Sequence, residues 1–162
     1  MSDFYSLTLP VIRHNWLGGG SPLHVGPGAP IVLLRAVEKL ARYFKRELGF
    51  DFVQFEAAET PGAPDFVPYE AYLFHELARD KLTENQPAPQ RVVGACCFRW
   101  REWEGREPGW SLDWVWMHPY FRRRGHLNGA WPSFQKRYGH EFHIAPPLSI
   151  EMQAFINAVR QK

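Results

Sequence analysis

The stretch of this chain best equipped for chemistry is residues 112–127, LDWVWMHPYFRRRGHL. Aromatic and β-branched residues lead to Pro119, and the chain then passes through Arg122, Arg123, Arg124 and Gly125 into a helical pattern. Strand, basic turn and helix together make an anion-binding geometry. At a helix N-terminus several N–H groups lack intrahelical partners and the macrodipole is positive, so a pyrophosphate is held by main chain as much as by side chain. Gly125 permits close backbone approach. An isolated basic run reads as a solvated turn; its place after a strand favours the anion site.

Other reactive side chains have quieter readings. Cys96 and Cys97 are the only cysteines and are sequence neighbours, which excludes a disulfide framework and a zinc motif and predicts reduced, core-packed thiols on opposite faces of a strand. His140 and His143 flank Glu141-Phe142 without metalloprotease spacing, so no metal site is expected and both read as surface or packing histidines. His118 and His126 flank the basic turn, where each is a phosphate contact or a polar loop residue. Six of the seven tryptophans lie between residues 100 and 131; alternation places Trp110, Trp114 and Trp116 on one sheet face and Asp113 on the other with Val115 and Met117, and Trp103 lies at a hairpin end, exposed to form part of a groove or partner surface.

The elements that must position these residues follow from periodicity. Residues 4–12 alternate as an edge strand, and residues 14–30, rich in Gly and Pro, read as a mobile surface loop whose Gly18-Gly19-Gly20 lacks the spacing of a phosphate fingerprint. Leu33, Val37, Leu40, Phe44 and Leu48 recur at helical spacing between Pro30 and Gly49. Residues 50–57 alternate as a strand, and residues 60–68 break the chain with Pro and Gly. Strands are then predicted over 69–77, 91–100 and 110–118, the last two joined as an antiparallel hairpin through Gly105. A helix over 127–138, a short strand over 141–145 and a final helix follow, the last capped by Ser149 and burying Met152, Phe155, Ile156 and Val159.

Composition sets the outer bounds. A chain of 162 residues, 45% hydrophobic and 22% charged, fits one globular domain with its own core. Its net charge of +2 points to neither nucleic acid nor membrane. No apolar run reaches the roughly 18 residues a bilayer requires, and residues 1–9 lack a signal-peptide pattern, so a cytoplasmic protein is expected.

Met117-His118-Pro119 followed by Arg122, Gly125 and Leu127 resembles the coenzyme-A motif of the GNAT family of N-acetyltransferases: a strand ending in Val-x-Pro, then Arg or Gln, two residues, Gly, one residue, and Gly or Ala. Leu127 departs from the final Gly or Ala, and Pro132 falls inside the helix that follows. Residues 142–155 are similar to the end of cohesin-type acetyltransferases. The GNAT resemblance covers residues 69–162, with residues 1–68 poorly matched. It implies an α/β (α+β) domain spanning residues 1–162, with a mostly antiparallel sheet flanked by helices. It further implies acetyl-CoA as co-substrate, bound by the main chain of Val115, Trp116 and Met117 and by Arg122, Arg123, Arg124, Gly125, His126 and Leu127. Asp113 is then the candidate base, and Ser149 and Tyr138 are candidates to protonate the thiolate.

The acceptor would be a primary amine of a small molecule, peptide or protein. Many relatives shape the acceptor side with a strand pair after the last helix; none is predicted within these 162 residues, so the N-terminal strand or a partner chain in a homodimer would serve instead. Two other classes compete. One is an inactive GNAT-fold module that binds CoA or a protein. The other is a nucleic-acid module using Arg99, Arg101, Arg106 and Arg122–Arg124, against which the modest net charge speaks.

Overall fold

The computed structural model describes residues 7–59, 61–146 and 148–160. Its frame is a six-stranded sheet in the order β2 (Leu23–Val25), β3 (Tyr69–Leu77), β4 (Gln90–Trp103), β5 (Arg106–Met117), β6 (His143–Ile144), with β1 (Val11–Ile12) paired to the start of β4. Every pairing is antiparallel except β5 with β6. Helix α1 (Ile31–Leu48) covers one face; α2 (His126–Tyr138) and α3 (Ile150–Arg160) cover the other.

α1 forms where its periodicity places it. Leu33, Val37, Leu40 and Phe44 are buried against the sheet, and Gly49 ends the helix at φ 72°, a left-handed conformation that costs a residue without Cβ least. On this face they meet Leu73, Ala95, Cys97, Trp114 and Trp116. Trp131 and Phe134 of α2 and Met152 and Ile156 of α3 pack with Phe74, Cys96, Phe98 and Leu112 on the other. Cys96 and Cys97 thus divide between the two cores as expected. Both are fully buried, and burial pushes the thiol of Cys97 up to about 12 and that of Cys96 upward as well.

Several expectations are corrected. Residues 50–57 form no strand. Phe55 is fully buried edge-on to Tyr69, and the segment is held by side chains of β4 and α1: Arg99 donates to the carbonyls of Gln54 and Val67 and to both oxygens of Glu59, and Glu38 accepts from the Ala57 N–H at 2.8 Å. The alternation reflects residues dipping into the core rather than a ladder. Residues 14–30 are not a structureless loop, because they supply β2 and a short 3-10 turn, Asn15–Gly19, that buries Leu17. Buried His75 ties this stretch down, its Nε2 lying 2.9 Å from the Gly20 carbonyl and its N–H donating to Ser21 Oγ. Of the expected strand over 4–12, residues 4–6 lie outside the described residues, and only Val11–Ile12 is a strand in the rest. The β4–β5 hairpin closes tightly, Trp103 opposite Arg106, with Gly105 at φ 75°. α2 continues through Pro132.

Gly94 has a packing role. A Cβ there would stand 2.9 Å from the Trp116 carbonyl oxygen and collide with the Met117 side chain. The thioether can swing aside but the ladder carbonyl cannot, so Gly94→Ala is expected to destabilise the protein by about 1–3 kcal/mol in a denaturant titration.

A polar cluster closes the far side of the sheet. Glu70 accepts from Arg137 through both oxygens and from the Tyr138 hydroxyl, which also meets Tyr72 Oη at 2.7 Å. Hydrogen bonding from Arg137 holds the Glu70 carboxyl below its ordinary 4.5. A depressed carboxyl stabilises the fold above its unfolded value and loses that contribution as pH falls through the folded value. Thermal unfolding should therefore show wild type losing stability below pH 4.5 more steeply than Glu70→Gln; parallel curves would dismiss the link.

Candidate functional site

The loop after β5 is built by its own side chains. Arg122 turns inward, its Nε donating to the Met117 carbonyl at 2.8 Å and its Nη2 to both oxygens of Glu47, at 2.7 and 3.0 Å, near the end of α1. Arg123 stands at φ 65° and Gly125 at φ 86°, two left-handed residues that reverse the chain into α2. Arg124 lies over the Phe121 ring and 3.7 Å from Glu76, which His126 meets at 2.6 Å. Arg122, Arg124 and His126 are thus engaged by carboxylates. What the loop presents outward is the exposed Arg123 and main chain: Gly125 is the N-cap and offers no side-chain acceptor, so the first-turn amides of His126, Leu127 and Asn128 have no intrahelical partner and could meet an external anion. The side chain of Leu127 packs into the second core.

Toward this loop runs a free strand edge. β6 pairs with β5 only at Ser111 and Leu112, with one further bond from Ala145 N–H to the Leu112 carbonyl, and the chain then leaves toward α3. From Asp113 to Met117 no described strand covers the edge of β5 opposite β4. Where β5 and β6 part, a narrow cleft opens, lined by Phe44, Asp113, Val115, Ile144, Leu148 and Ser149 among others. Its free volume of about 20 Å³ is room for about one water molecule.

Asp113 sits in a bulge at this point. Cys97 opposes Trp114 while Phe98 opposes Leu112, so Asp113 is the extra residue of β5. The expected alternation therefore fails here. Trp114 and Trp116 face α1, Trp110 and Leu112 face the other core, and Asp113 joins the side of Arg101 instead of Val115 and Met117. One carboxylate oxygen is bonded to Arg101; Oδ1 is buried without a hydrogen-bond partner among the described residues, in a side chain only 7% exposed. A buried, unpaired anionic oxygen is costly, and it stands ready to accept a proton or an N–H.

Ser149 shares the cleft. Its Oγ accepts from the Met152 N–H at 3.1 Å, as an N-cap does, which leaves its own proton available to donate. Tyr138 is not brought to this cleft. It is stacked on Phe98 and hydrogen-bonded to Glu70 and Tyr72, and burial with those bonds raises its pKa far above normal.

His143, expected as a surface or packing residue, is a functional candidate the sequence did not single out. Parallel pairing places its Nδ1 2.9 Å from Ser111 Oγ and its ring 5.0 Å from Trp103. Burial first, then Arg106, lowers its pKa below the ordinary 6.5, so the ring is neutral at pH 7. No spacing motif signals this, since the residue acquires its neighbours through a pairing 32 residues distant.

The element order and sheet topology fit a GNAT-like α+β fold, with a mostly antiparallel six-stranded sheet flanked by three helices. No protein-family model matches the chain, and no curated protein matches it. Among the described residues, no helix is long and apolar enough to cross a membrane.

Proposed function

We propose that this protein is an N-acetyltransferase that passes an acetyl group directly from acetyl-CoA to a primary amine. The observation that carries the reading is one continuous path. A buried carboxylate in a strand bulge opens onto a free strand edge, and that edge leads to the uncapped N-terminus of α2. Amides of His126, Leu127 and Asn128 would hold the pyrophosphate, and the outward main chain of residues 113–117 would pair with the pantetheine amides.

Acetyl-CoA, when bound, supplies an activated acyl thioester. The chain's own residues orient it and manage protons. Asp113 Oδ1 accepts the proton of the attacking amine, and the Ser149 hydroxyl donates to the departing sulfur. Arg122 does its work by locking the loop to α1 rather than by touching phosphate. Because the cleft holds about one water, entry of the acyl group requires the chain after β6 to yield; among the described residues, β6 is fastened to β5 by a two-residue pairing, the Ala145–Leu112 hydrogen bond and the Ser111–His143 side-chain contact.

Ion pairing speaks against nucleic acid as ligand: Arg99 is buried against Glu59, Arg101 is bonded to Asp113, and Arg122 to Glu47. Calorimetric titration with acetyl-CoA and with CoA tests the proposal. Micromolar binding of both supports it, and a folded, monodisperse protein that binds neither would sink it.

A further inference from the structure

A second, larger cleft lies against β6, its free volume about 470 Å³, within the range of small-ligand sites. Arg106, Glu141, His143, Gln153 and Arg160 supply its polar lining, and Ile144 and Leu148 form the wall it shares with the narrow cleft of Asp113. The two clefts are neighbours across that wall.

Among the described residues, its two cations are free of carboxylates yet lie together in one concave site. Arg99, Arg101, Arg122 and Arg137 are bonded to carboxylates, whereas among the described residues neither Arg106 nor Arg160 has one. Both are nonetheless positioned: Arg106 lies over the Trp103 ring at 4.4 Å, and Arg160 donates to the Phe142 carbonyl at 3.1 Å. His143, in the same lining, is fixed by Ser111 and Trp103. Two oriented guanidinium groups in one cleft suit an oxyanion, which arginine grips through paired N–H donors. Glu141, the single acid of the lining, favours a ligand that also carries an ammonium group.

We infer that this cleft is the acceptor site, and that the acceptor is a small primary amine bearing an anionic group, carboxylate or phosphate, held by Arg106 and Arg160. The inference rests on the acetyltransferase reading. With the anion in the outer cleft, the amine reaches past Ile144 and Leu148 toward Asp113. There its nitrogen bonds to the acetyl carbon of the thioester and the carbon–sulfur bond breaks. The amine's proton goes to Asp113, and the thiolate leaves as CoA after taking a proton from Ser149. Solvent exchange then returns Ser149 and Asp113 to their starting states, so atoms and charge balance. Without an anionic group, an alkylamine would find two like charges in its path, which supplies discrimination as well as attraction.

The test uses the full chain and three probe sets: ω-aminocarboxylates, aminoalkyl phosphates and alkylamines of matched length. Binding is followed through the His143 imidazole and Trp103 indole resonances, with acetyl-CoA affinity measured separately by calorimetry. Anionic amines are expected to give saturable shifts with affinity at least tenfold above the matched alkylamines. Arg106→Gln with Arg160→Gln should erase that preference and leave acetyl-CoA affinity unchanged; both side chains are exposed, so the fold survives. The carboxylate and phosphate arms decide which oxyanion is preferred. Acetyl-CoA binding with no response to any anionic amine, or a preference that persists in the double variant, overturns the acceptor assignment alone. Anionic amines that bind while acetyl-CoA does not would support the cleft as an anion site and overturn its role in transfer.

Discussion

Asp113→Asn should leave acetyl-CoA bound and slow acetyl transfer by roughly 10²- to 10⁴-fold, the usual contribution of a positioned general base. The amide matches the carboxylate in shape, and its carbonyl can still accept from Arg101, but it cannot take up the amine's proton. The stability cost should be small. Arg101 is 41% exposed at its side chain and can turn to water, so losing the pair costs on the order of 1 kcal/mol or less, while the amide nitrogen takes the place of the orphaned oxygen as a buried polar atom without a partner. Single-turnover rates at saturating acetyl-CoA and acceptor isolate the chemical step. A rate equal to wild type would reduce Asp113 to a structural partner of Arg101, and equal loss of acetyl-CoA affinity would make it a binding residue.

Asn128→Asp should separate stability from coenzyme affinity by moving them in opposite directions. Asn128 is exposed in the first turn of α2, whose N-cap offers no side-chain acceptor. A carboxylate there interacts favourably with the helix dipole, adding about 0.3–1 kcal/mol of stability. The same charge repels a pyrophosphate at the first-turn amides. At the separations within one helical turn and a surface-like dielectric, repulsion of about 1–3 kcal/mol follows, or roughly a 10- to 100-fold loss of affinity for both CoA and acetyl-CoA. Calorimetry paired with thermal unfolding reads both effects in one sample. Unchanged affinity in a stabilised variant would move the pyrophosphate away from α2. Salt should shrink the loss, because the site is open to solvent.

The two variants probe opposite ends of one path, and the sequence revealed those ends unequally. Its basic turn was legible because every determinant is local: a strand pattern ending at Pro119, three arginines, Gly125 and the helical pattern that follows. Asp113 was legible as a strand carboxylate, yet its direction was not. Alternation predicts its side from its neighbours, and the bulge reverses that prediction because pairing with β4 accommodates one more residue on β5 than on its partner. Likewise, the arginines of the turn look like phosphate ligands in one dimension. Glu47 and Glu76, 75 and 48 residues before Arg122 and Arg124, take up two of them, and Arg123 and the main chain are left facing outward.

By itself the sequence determined the periodic helix α1 with its glycine stop, the three central strands with their hairpin, the split of the cysteine pair between two cores, and the strand-turn-helix at residues 112–127. Each depends on spacing within a few turns or one ladder, where period and turn chemistry act directly. Tertiary structure alone decided that residues 50–57 pack without pairing, that residues 23–25 form an edge strand, that Tyr138 belongs to Glu70, and that His143 joins Arg106 and Arg160 around a cleft. Those outcomes depend on which distant groups meet a given side chain, and burial, charge pairing and strand register are settled only when the sheet closes.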